Sequence, residues 1–335
     1  MGYRRWRTFF LVALALVAVG CGASGAGQQA RLLRVEDPLK EPAWVPSRNA
    51  LIALSEDGRR VERVDLDASG DSRLPVRSVG LGDLGENVAL NPREPGLAYI
   101  ARPESGRISE LDIDTLRVVR GYDTGGTPSY VTVNTQPELL FALSEDGSVV
   151  LGADLATSRE IPAILVDGDP RTLAESPEKG FDPALWIAGS RGTTYYGGAP
   201  LKRLAHGSQE AEDIAVDTES AQRIYLAEGS RLTALEGDPQ GLLKGDLEEM
   251  ASRDLGEKIE AVTSDALYIY AATLDKLVIM RRETLDIEKT VDLESKFEQE
   301  HLHPTGVSGI TTGESSGGVY LTLEGEPYVV IISKP

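Results

Sequence analysis

The hexapeptide ALSEDG occurs twice in this chain, at residues 53–58 and again at residues 142–147. Each copy follows an apolar run and precedes a run in which apolar and polar residues alternate. Two strand-like runs joined by Asp-Gly are typical of a β-hairpin, because glycine adopts the left-handed backbone conformation that closes a tight turn. The two copies therefore predict two equivalent hairpins and a repeated architecture.

Five further pairs of strand-like runs repeat this pattern with different turn residues, and they begin at residues 97, 185, 224, 267 and 319. Another short apolar run precedes each hairpin, and a fourth follows most of them. Four short strands in a unit of about 40–45 residues are the signature of a β-propeller blade. We therefore predict an all-β fold, a seven-bladed β-propeller of four-stranded antiparallel blades.

The two ends of the chain bear on how the ring closes. The seventh unit stops at Pro335 after its third strand, whereas residues 31–35 (RLLRV) form a strand-like segment without three partners of their own. We expect this N-terminal strand to join the last blade as its fourth strand and to close the ring. The alternative interpretation is that residues 31–35 are a linker.

The first thirty residues have the pattern of an export signal and a tether. Basic residues precede an apolar run at 8–19, which is too short to span a bilayer of about 20 helical residues. The sequence AVGC at 18–21 resembles the lipobox of bacterial lipoproteins, and this resemblance implies cleavage before Cys21 and lipidation of that residue. An ordinary secretory signal is the alternative. We divide the chain into a signal peptide (1–20), a flexible tether (21–30) and one propeller domain (31–335).

One unit carries a more specific likeness. The segments GGTPSYVTV (125–133), LLFALSEDG (139–147) and VVLGADLAT (149–157) together resemble the YVTN-type, WD40-like β-propeller repeat. Two other units match that repeat loosely, and the remaining units match only by period. The resemblance implies a propeller fold, whereas function has to be argued from a site, because propellers serve many functions.

The composition restricts the class of partner. The chain has 34 basic and 53 acidic residues, a net charge of −19, and a single cysteine, Cys21. Such a surface repels nucleic acid and anionic headgroups, which bind basic patches. We therefore expect a membrane link through lipid on Cys21. The residue after it is Gly22 and not the Asp that retains some lipoproteins at the inner membrane, so we expect an outer-membrane or cell-surface location. We also expect a monomer. The expected partner is an envelope protein or peptide of basic character.

Seven residues stand just before the innermost strand of each predicted blade and are candidates for a ring at the mouth of the central channel. They are Glu41, Glu86, Thr127, Asp169, Glu212, Glu257 and His303. A ring of this composition favours a cationic ligand, a basic peptide or Ca²⁺, which prefers several oxygen ligands. No other cofactor is expected. A solvated acidic rim without a ligand is the alternative interpretation.

Catalytic motifs are scarce in the sequence. The chain has three histidines and lacks a G-x-S-x-G elbow and a phosphate-binding glycine loop. We therefore expect a non-catalytic binding or scaffold lipoprotein of the bacterial envelope. The alternative is a lactonase-like hydrolase that uses Glu257 or His303 as an acid or base at the channel mouth. We interpret residues 297–303 (FEQEHLH) as a solvated loop before the last blade.

Overall fold

The fold is seen in a computed structural model that describes residues 30–66, 73–91, 93–135, 138–166, 169–176, 183–217, 223–237, 247–313 and 317–335. The described strands form seven antiparallel sheets of four strands each, and every sheet is one blade of a ring. The predicted seven-bladed β-propeller is thus confirmed. Within the described ranges, no helix is long and apolar enough to cross a membrane.

The first three blades follow strand β1 (Ala30–Arg34) in chain order. Blade 1 consists of β2 (Leu39–Val45), β3 (Ala50–Ser55), β4 (Arg60–Asp65) and β5 (Val76–Gly80). Blade 2 consists of β6 (Val88–Leu90), β7 (Leu97–Arg102), β8 (Arg107–Asp112) and β9 (Arg117–Asp123). Blade 3 consists of β10 (Pro128–Thr135), β11 (Glu138–Ser144), β12 (Val149–Asp154) and β13 (Glu160–Leu165).

The remaining blades repeat this order. Blade 4 consists of β14 (Pro170–Glu175), β15 (Ala184–Gly189), β16 (Gly192–Gly197) and β17 (Lys202–Gly207). Blade 5 consists of β18 (Asp213–Val216), β19 (Arg223–Glu228), β20 (Arg231–Glu236) and β21 (Glu249–Asp254). Blade 6 consists of β22 (Ala261–Ser264), β23 (Tyr268–Ala272), β24 (Lys276–Arg281) and β25 (Ile287–Asp292). Blade 7 consists of β26 (Val307–Thr311), β27 (Gly318–Leu323), β28 (Glu326–Ser333) and β1.

The hydrophobic core lies between the blades. Each pair of neighbouring blades shares one cluster of buried apolar side chains. In β3, Leu51 and Ala53 pack toward blade 7, whereas Ile52 and Leu54 pack toward blade 2. A strand covered on both faces needs apolar residues at successive positions, and this explains the continuous apolar runs that precede the hairpin turns.

Both ALSEDG copies form the same side-chain-braced turn. In the first copy the Ser55 hydroxyl donates to Asp57 Oδ1 at 2.5 Å, and Asp57 Oδ1 also accepts the Arg59 N–H at 3.1 Å. Ser144 and Asp146 repeat the first bond at 2.6 Å. The bonds from Ser144 and from Ser148 lower the pKa of Asp146 to about 2. The geometry of the turn therefore explains why the same hexapeptide occurs in two blades.

The N-terminal strand closes the ring. Strand β1 pairs antiparallel with β28 of the last blade, in a register that places Leu33 opposite Val329. Leu33 is buried with Trp44 and Tyr320, whose rings stack at 5.1 Å between centroids, at the junction of blades 7 and 1. The closure predicted from the chain ends is confirmed, and the linker interpretation of residues 31–35 is wrong.

The segment before the last blade differs from its prediction. Residues 297–303 do not form a solvated loop throughout, because a short helix, α1, spans Glu294–Glu300. Phe297 and Leu302 are buried and belong to the cluster between blades 6 and 7. The surrounding charged residues conceal these two apolar anchors in the sequence. His301 ends the helix in the left-handed conformation, with φ of 58°.

We expect Leu33→Ala to lower the free energy of unfolding by about 2–4 kcal/mol, because it leaves a cavity in the junction that closes the ring. The matched control is Leu165→Ala, since Leu165 is 82% exposed at the end of β13. That control should change stability by less than about 0.5 kcal/mol. Thermal and urea unfolding measure both. Equal effects of the two substitutions would contradict the closure by β1.

Candidate functional site

The innermost strands of the seven blades enter the ring at the same end and surround a cavity there, which we call the mouth cavity. It has a volume of about 240 Å³, and every blade contributes to its wall. Its charged and hydroxyl-bearing residues include Glu41, Glu86, Tyr130, Arg171, Thr172, Glu212, Asp213, Glu260 and Ser308. Five carboxylates and one guanidinium therefore line a cavity smaller than the roughly 300–1,000 Å³ of drug-sized ligand pockets.

Three of the seven residues expected at the channel mouth line this cavity, namely Glu41, Glu86 and Glu212. The other four are absent from its wall. Thr127 and Asp169 are exposed just before β10 and β14, and Asp169 Oδ2 accepts a hydrogen bond from the Ser190 hydroxyl at 2.9 Å.

Glu257 and His303 do not line the cavity, and each has interactions of its own. Glu257 accepts hydrogen bonds from Lys276 Nζ at 2.6 Å and from the Thr273 hydroxyl at 2.9 Å. The bond from Lys276 contributes most to lowering the Glu257 pKa. His303 is exposed, and its backbone N–H donates to Glu326 Oε1 at 3.0 Å. The two residues that the hydrolase hypothesis uses are therefore not part of the wall of the mouth cavity.

Irregular strand entries accompany these differences in blades 3, 4 and 7. Register shifts interrupt the first residues of β2, β10, β14 and β26 in their pairing with the second strands. A bulge inserts one residue and redirects the side chains that follow it. Tyr130 and Thr172 consequently occupy the wall where counting along the sequence selects Thr127 and Asp169. In blade 6, Glu260 stands directly before the innermost strand and takes the wall position.

Glu41 projects from a bulge in β2. Its φ is 48°, in the left-handed region that non-glycine residues rarely adopt. Gly309 of the last blade packs directly against this bulge, and a Cβ there would lie 2.6 Å from Pro42 Cδ. Burial raises the pKa of Glu41 to about 8, with a further contribution from Asp213, whereas Lys40 opposes the shift. The charged form of Glu41 is therefore disfavoured at neutral pH.

Asp213 is fixed by backbone amides of two blades. Its Oδ1 accepts the Ile214 N–H at 2.8 Å, and its Oδ2 accepts the Val262 N–H of blade 6 at 2.8 Å. Burial raises its pKa to about 6, and these two bonds limit the shift. Asn87 has the equivalent role between blades 2 and 3, where its Oδ1 accepts the Val131 N–H at 2.7 Å. Asp213 thus makes with a carboxylate, between blades 5 and 6, the contact that Asn87 makes with an amide between blades 2 and 3.

Basic residues compensate the carboxylates around the cavity edge. Lys40 Nζ lies 3.1 Å from Glu86, and Lys258 Nζ lies 3.0 Å from Glu260. Lys258 Nζ also lies 3.7 Å from Glu212. These contacts are between partly exposed groups and are each worth less than about 1 kcal/mol. They nevertheless leave the edge of the cavity less negative than a count of carboxylates suggests.

The hairpin turns between the second and third strands lie on the same face as the mouth cavity, because the strands of each blade alternate in direction. An acidic residue lies in this turn, or at the strand end directly before it, in six of the seven blades. These residues are Glu56, Glu104, Glu145, Glu228, Asp275 and Glu324, and we call them the turn ring. Blade 4 instead has Arg191 in its turn. Acidic groups thus surround the mouth at two radii.

The grouping of the described residues also bears on metal-ion binding. In the described part of the chain, no three His, Cys, Asp or Glu residues are grouped closely enough to hold a metal ion. Calcium binding therefore stays a prediction from the sequence.

A larger cavity, of about 410 Å³, lies between blades 3 and 4 and is lined only by Leu, Ile, Phe, Pro and Ala. It has no titratable group and is therefore no candidate for charge-based recognition.

We expect Glu41 to titrate near pH 8 and expect Lys40→Met to move its midpoint higher, because the lysine stabilises the ionised carboxylate. Asp213→Asn should move the midpoint lower by removing a like charge. Lys202→Met is the matched control, since Lys202 is exposed at the start of β17. Carboxyl ¹³C NMR, assigned with Glu41→Gln, measures the midpoint. Titration of Glu41 near pH 4.5, its ordinary value, would contradict the desolvation of its carboxyl group in the cavity.

Neither the models of known protein families nor the sequences of curated proteins match this chain. The assignment to a seven-bladed β-propeller therefore stands on the seven sheets and their ring order.

Proposed function

We propose that this protein is a lipid-anchored binding protein of the bacterial envelope, whose acidic mouth face binds a basic region of a partner protein. The observation that supports this most is the coincidence of the turn ring with the mouth cavity on one face. Acidic groups at two radii create a negative potential that attracts and orients a basic partner. Repeated blades give a broad, rigid surface, which suits a scaffold.

The membrane anchor is the second part of the proposal. Cys21 lies outside the described residues, and the proposal rests on its lipobox-like sequence and on its being the single cysteine. Strand β1 begins at Ala30, close behind Cys21 in the sequence, and β1 belongs to the blade that closes the ring. Multiple acyl chains on Cys21 would give stable membrane attachment, since one chain alone binds only marginally.

The lactonase-like alternative receives less support from the geometry. Its proposed acid or base groups, Glu257 and His303, do not line the mouth cavity, and Glu257 is engaged by Lys276. The five carboxylates that line the cavity, Glu41 and Asp213 among them, have no imidazole beside them in its described wall. General acid–base catalysis needs its groups within hydrogen-bond reach of one substrate. A binding role fits this wall without further assumptions.

We expect the double substitution Glu145→Gln and Glu228→Gln to weaken binding of a lysine-rich peptide about threefold to tenfold, since two exposed charges of the turn ring are lost. The loss should shrink at high salt, because exposed charges are screened there. Fluorescence anisotropy of the labelled peptide, at low and at physiological ionic strength, measures both effects.

The control carries the same change in net charge on the opposite face. Glu94 and Glu283 are exposed in loops at the far ends of blades 2 and 6, and both are replaced by Gln. The control should bind like the unmodified protein. Equal weakening by the two double variants would show that binding depends only on the net charge of the protein. That result would contradict specific binding at the mouth face. A pull-down from solubilised envelope, with the unmodified protein as bait, identifies the natural partner.

We expect cells that produce the protein to incorporate labelled fatty acid into it and to retain it in the membrane fraction. Cys21→Ser should abolish both, because the thiol that carries the lipid is lost. Ser24→Ala, a small change in the same tether, is the control and should leave both unaltered. Continued labelling of the Cys21→Ser variant would contradict the anchor.

A further inference from the structure

The centre of the mouth cavity has a surplus of hydrogen-bond acceptors. Among the described residues, the Glu41 carboxylate has no hydrogen bond or ion pair. Thr172 is only 2% exposed, and its hydroxyl has no well-aligned hydrogen-bond partner. It lies near the Tyr130 hydroxyl, whose pKa it lowers against the larger effect of burial. Both side chains line the cavity. Buried polar groups without partners are costly, so these positions call for a ligand that supplies donors.

Asp213 adds a third acceptor that is held in place. Each of its oxygens already accepts one backbone N–H, from Ile214 and from Val262, which leaves one further lone-pair site on each oxygen. Glu41 on blade 1 and Asp213 on blade 5 interact electrostatically, and Tyr130 on blade 3 interacts with both. Side chains from well-separated blades therefore converge at the axis of the channel.

The charges around this centre indicate that the ligand is a small cation. Lys40 and Lys258 already compensate Glu86 and Glu260 at the edge. Glu41 and Asp213, in contrast, have no basic side chain in ion-pair contact among the described residues. A small cation placed between these two carboxyl groups would compensate them from inside the cavity.

The chemistry of the donors favours an ammonium group over a guanidinium. A guanidinium binds a carboxylate best through two parallel hydrogen bonds to a free pair of oxygens. The acceptors here are instead spread over three blades, since Glu41, Thr172 and Asp213 belong to blades 1, 4 and 5. A primary ammonium is a compact point charge with three donors, which matches three separate acceptors.

We propose that the mouth cavity binds a primary ammonium group, which donates to Glu41, Asp213 and the Thr172 hydroxyl. This inference rests on the proposed function and names the group that the basic partner inserts. The group is the end of a lysine side chain or of a free alkyl diamine, since both share this chemistry. A volume of about 240 Å³ accommodates such a chain.

Binding is coupled to release of a proton. The titratable and charged groups that face Glu41 in the cavity are Lys40, Glu86, Tyr130, Arg171, Glu212, Asp213 and Glu260. Glu41 has a pKa of about 8 and is therefore largely protonated at neutral pH before an ammonium binds. An ammonium favours the ionised carboxylate, so its affinity should rise with pH up to this pKa. We expect about a tenfold gain between about pH 6.5 and about pH 8.5.

Isothermal titration calorimetry on the full chain in nonionic detergent tests the inference with four probes. Three are blocked tripeptides, Gly-X-Gly, in which X is lysine, arginine or norleucine, and the fourth is 1,5-diaminopentane. We expect the lysine peptide to bind at least tenfold more tightly than the norleucine peptide and more tightly than the arginine peptide. A tighter lysine peptide points to a protein source of the ammonium, and a tighter diamine points to a free amine.

Two variants and one control test the residues. Glu41→Gln should weaken the lysine peptide about tenfold and remove the gain with pH, and Thr172→Val should weaken it about threefold. Glu94→Gln, on the opposite face, should change nothing. Circular dichroism confirms that each variant is folded. Equal binding of the lysine and norleucine peptides, or unchanged binding by both cavity variants, would overturn the inference.

Failure of this inference is distinguishable from failure of the proposed function. If the lysine-rich peptide still requires the turn ring while the tripeptides ignore Glu41 and Thr172, the basic partner binds the face without inserting an ammonium. If neither probe depends on the turn ring or the cavity, both proposals fall.

Discussion

The structure depends on one constraint, which is that each blade must bury both faces of its sheet against its neighbours. A lone four-stranded sheet would leave apolar surface and strand edges exposed. Here Leu51 and Ala53 face one neighbour while Ile52 and Leu54 face the other, and the same division holds for the second strand of every blade. Closure by β1 extends this coverage to the first and last blades.

Ring closure also determines where charge accumulates. Seven inner strands that enter at one end bring their first side chains to a single narrow mouth. The protein manages the repulsion there in two ways. At the edge, Lys40 and Lys258 lie beside Glu86 and Glu260 in partly exposed ion pairs. At the centre, Glu41 remains uncompensated, and its raised pKa reflects the cost of ionisation in that position.

The repeat was predictable from the sequence because it follows from local chemistry, whereas the wall of the mouth cavity was only partly so. Gly58 and Gly147 have φ of 65° and 67° and close two turns that are braced by neighbouring Ser and Asp side chains. The cavity wall depends instead on strand entries that differ between blades. A bulge of one residue exchanges the side chains that face the channel, so Tyr130 replaces Thr127 in blade 3. Pro42, Pro128 and Pro170 lie at three of these bulges, but a proline alone does not tell which side chain then faces the channel. Asp213 could have been recognised, since it directly precedes an Ile-Ala-Val strand and carries an oxygen that can accept a backbone amide.

Glu41 combines a strained backbone conformation with a carboxyl group that is costly to ionise. Its left-handed backbone would cost less with glycine. Local strain in a non-glycine residue persists where its surroundings hold it, and such residues cluster at binding sites. Gly309 and Pro42 hold this bulge, and the side chain it presents is the uncompensated carboxyl group at the channel axis. A cation bound at the axis would stabilise the ionised carboxylate and so offset the cost of its ionisation. The strained backbone of Glu41 would then be the energetic cost of orienting the carboxylate toward that cation.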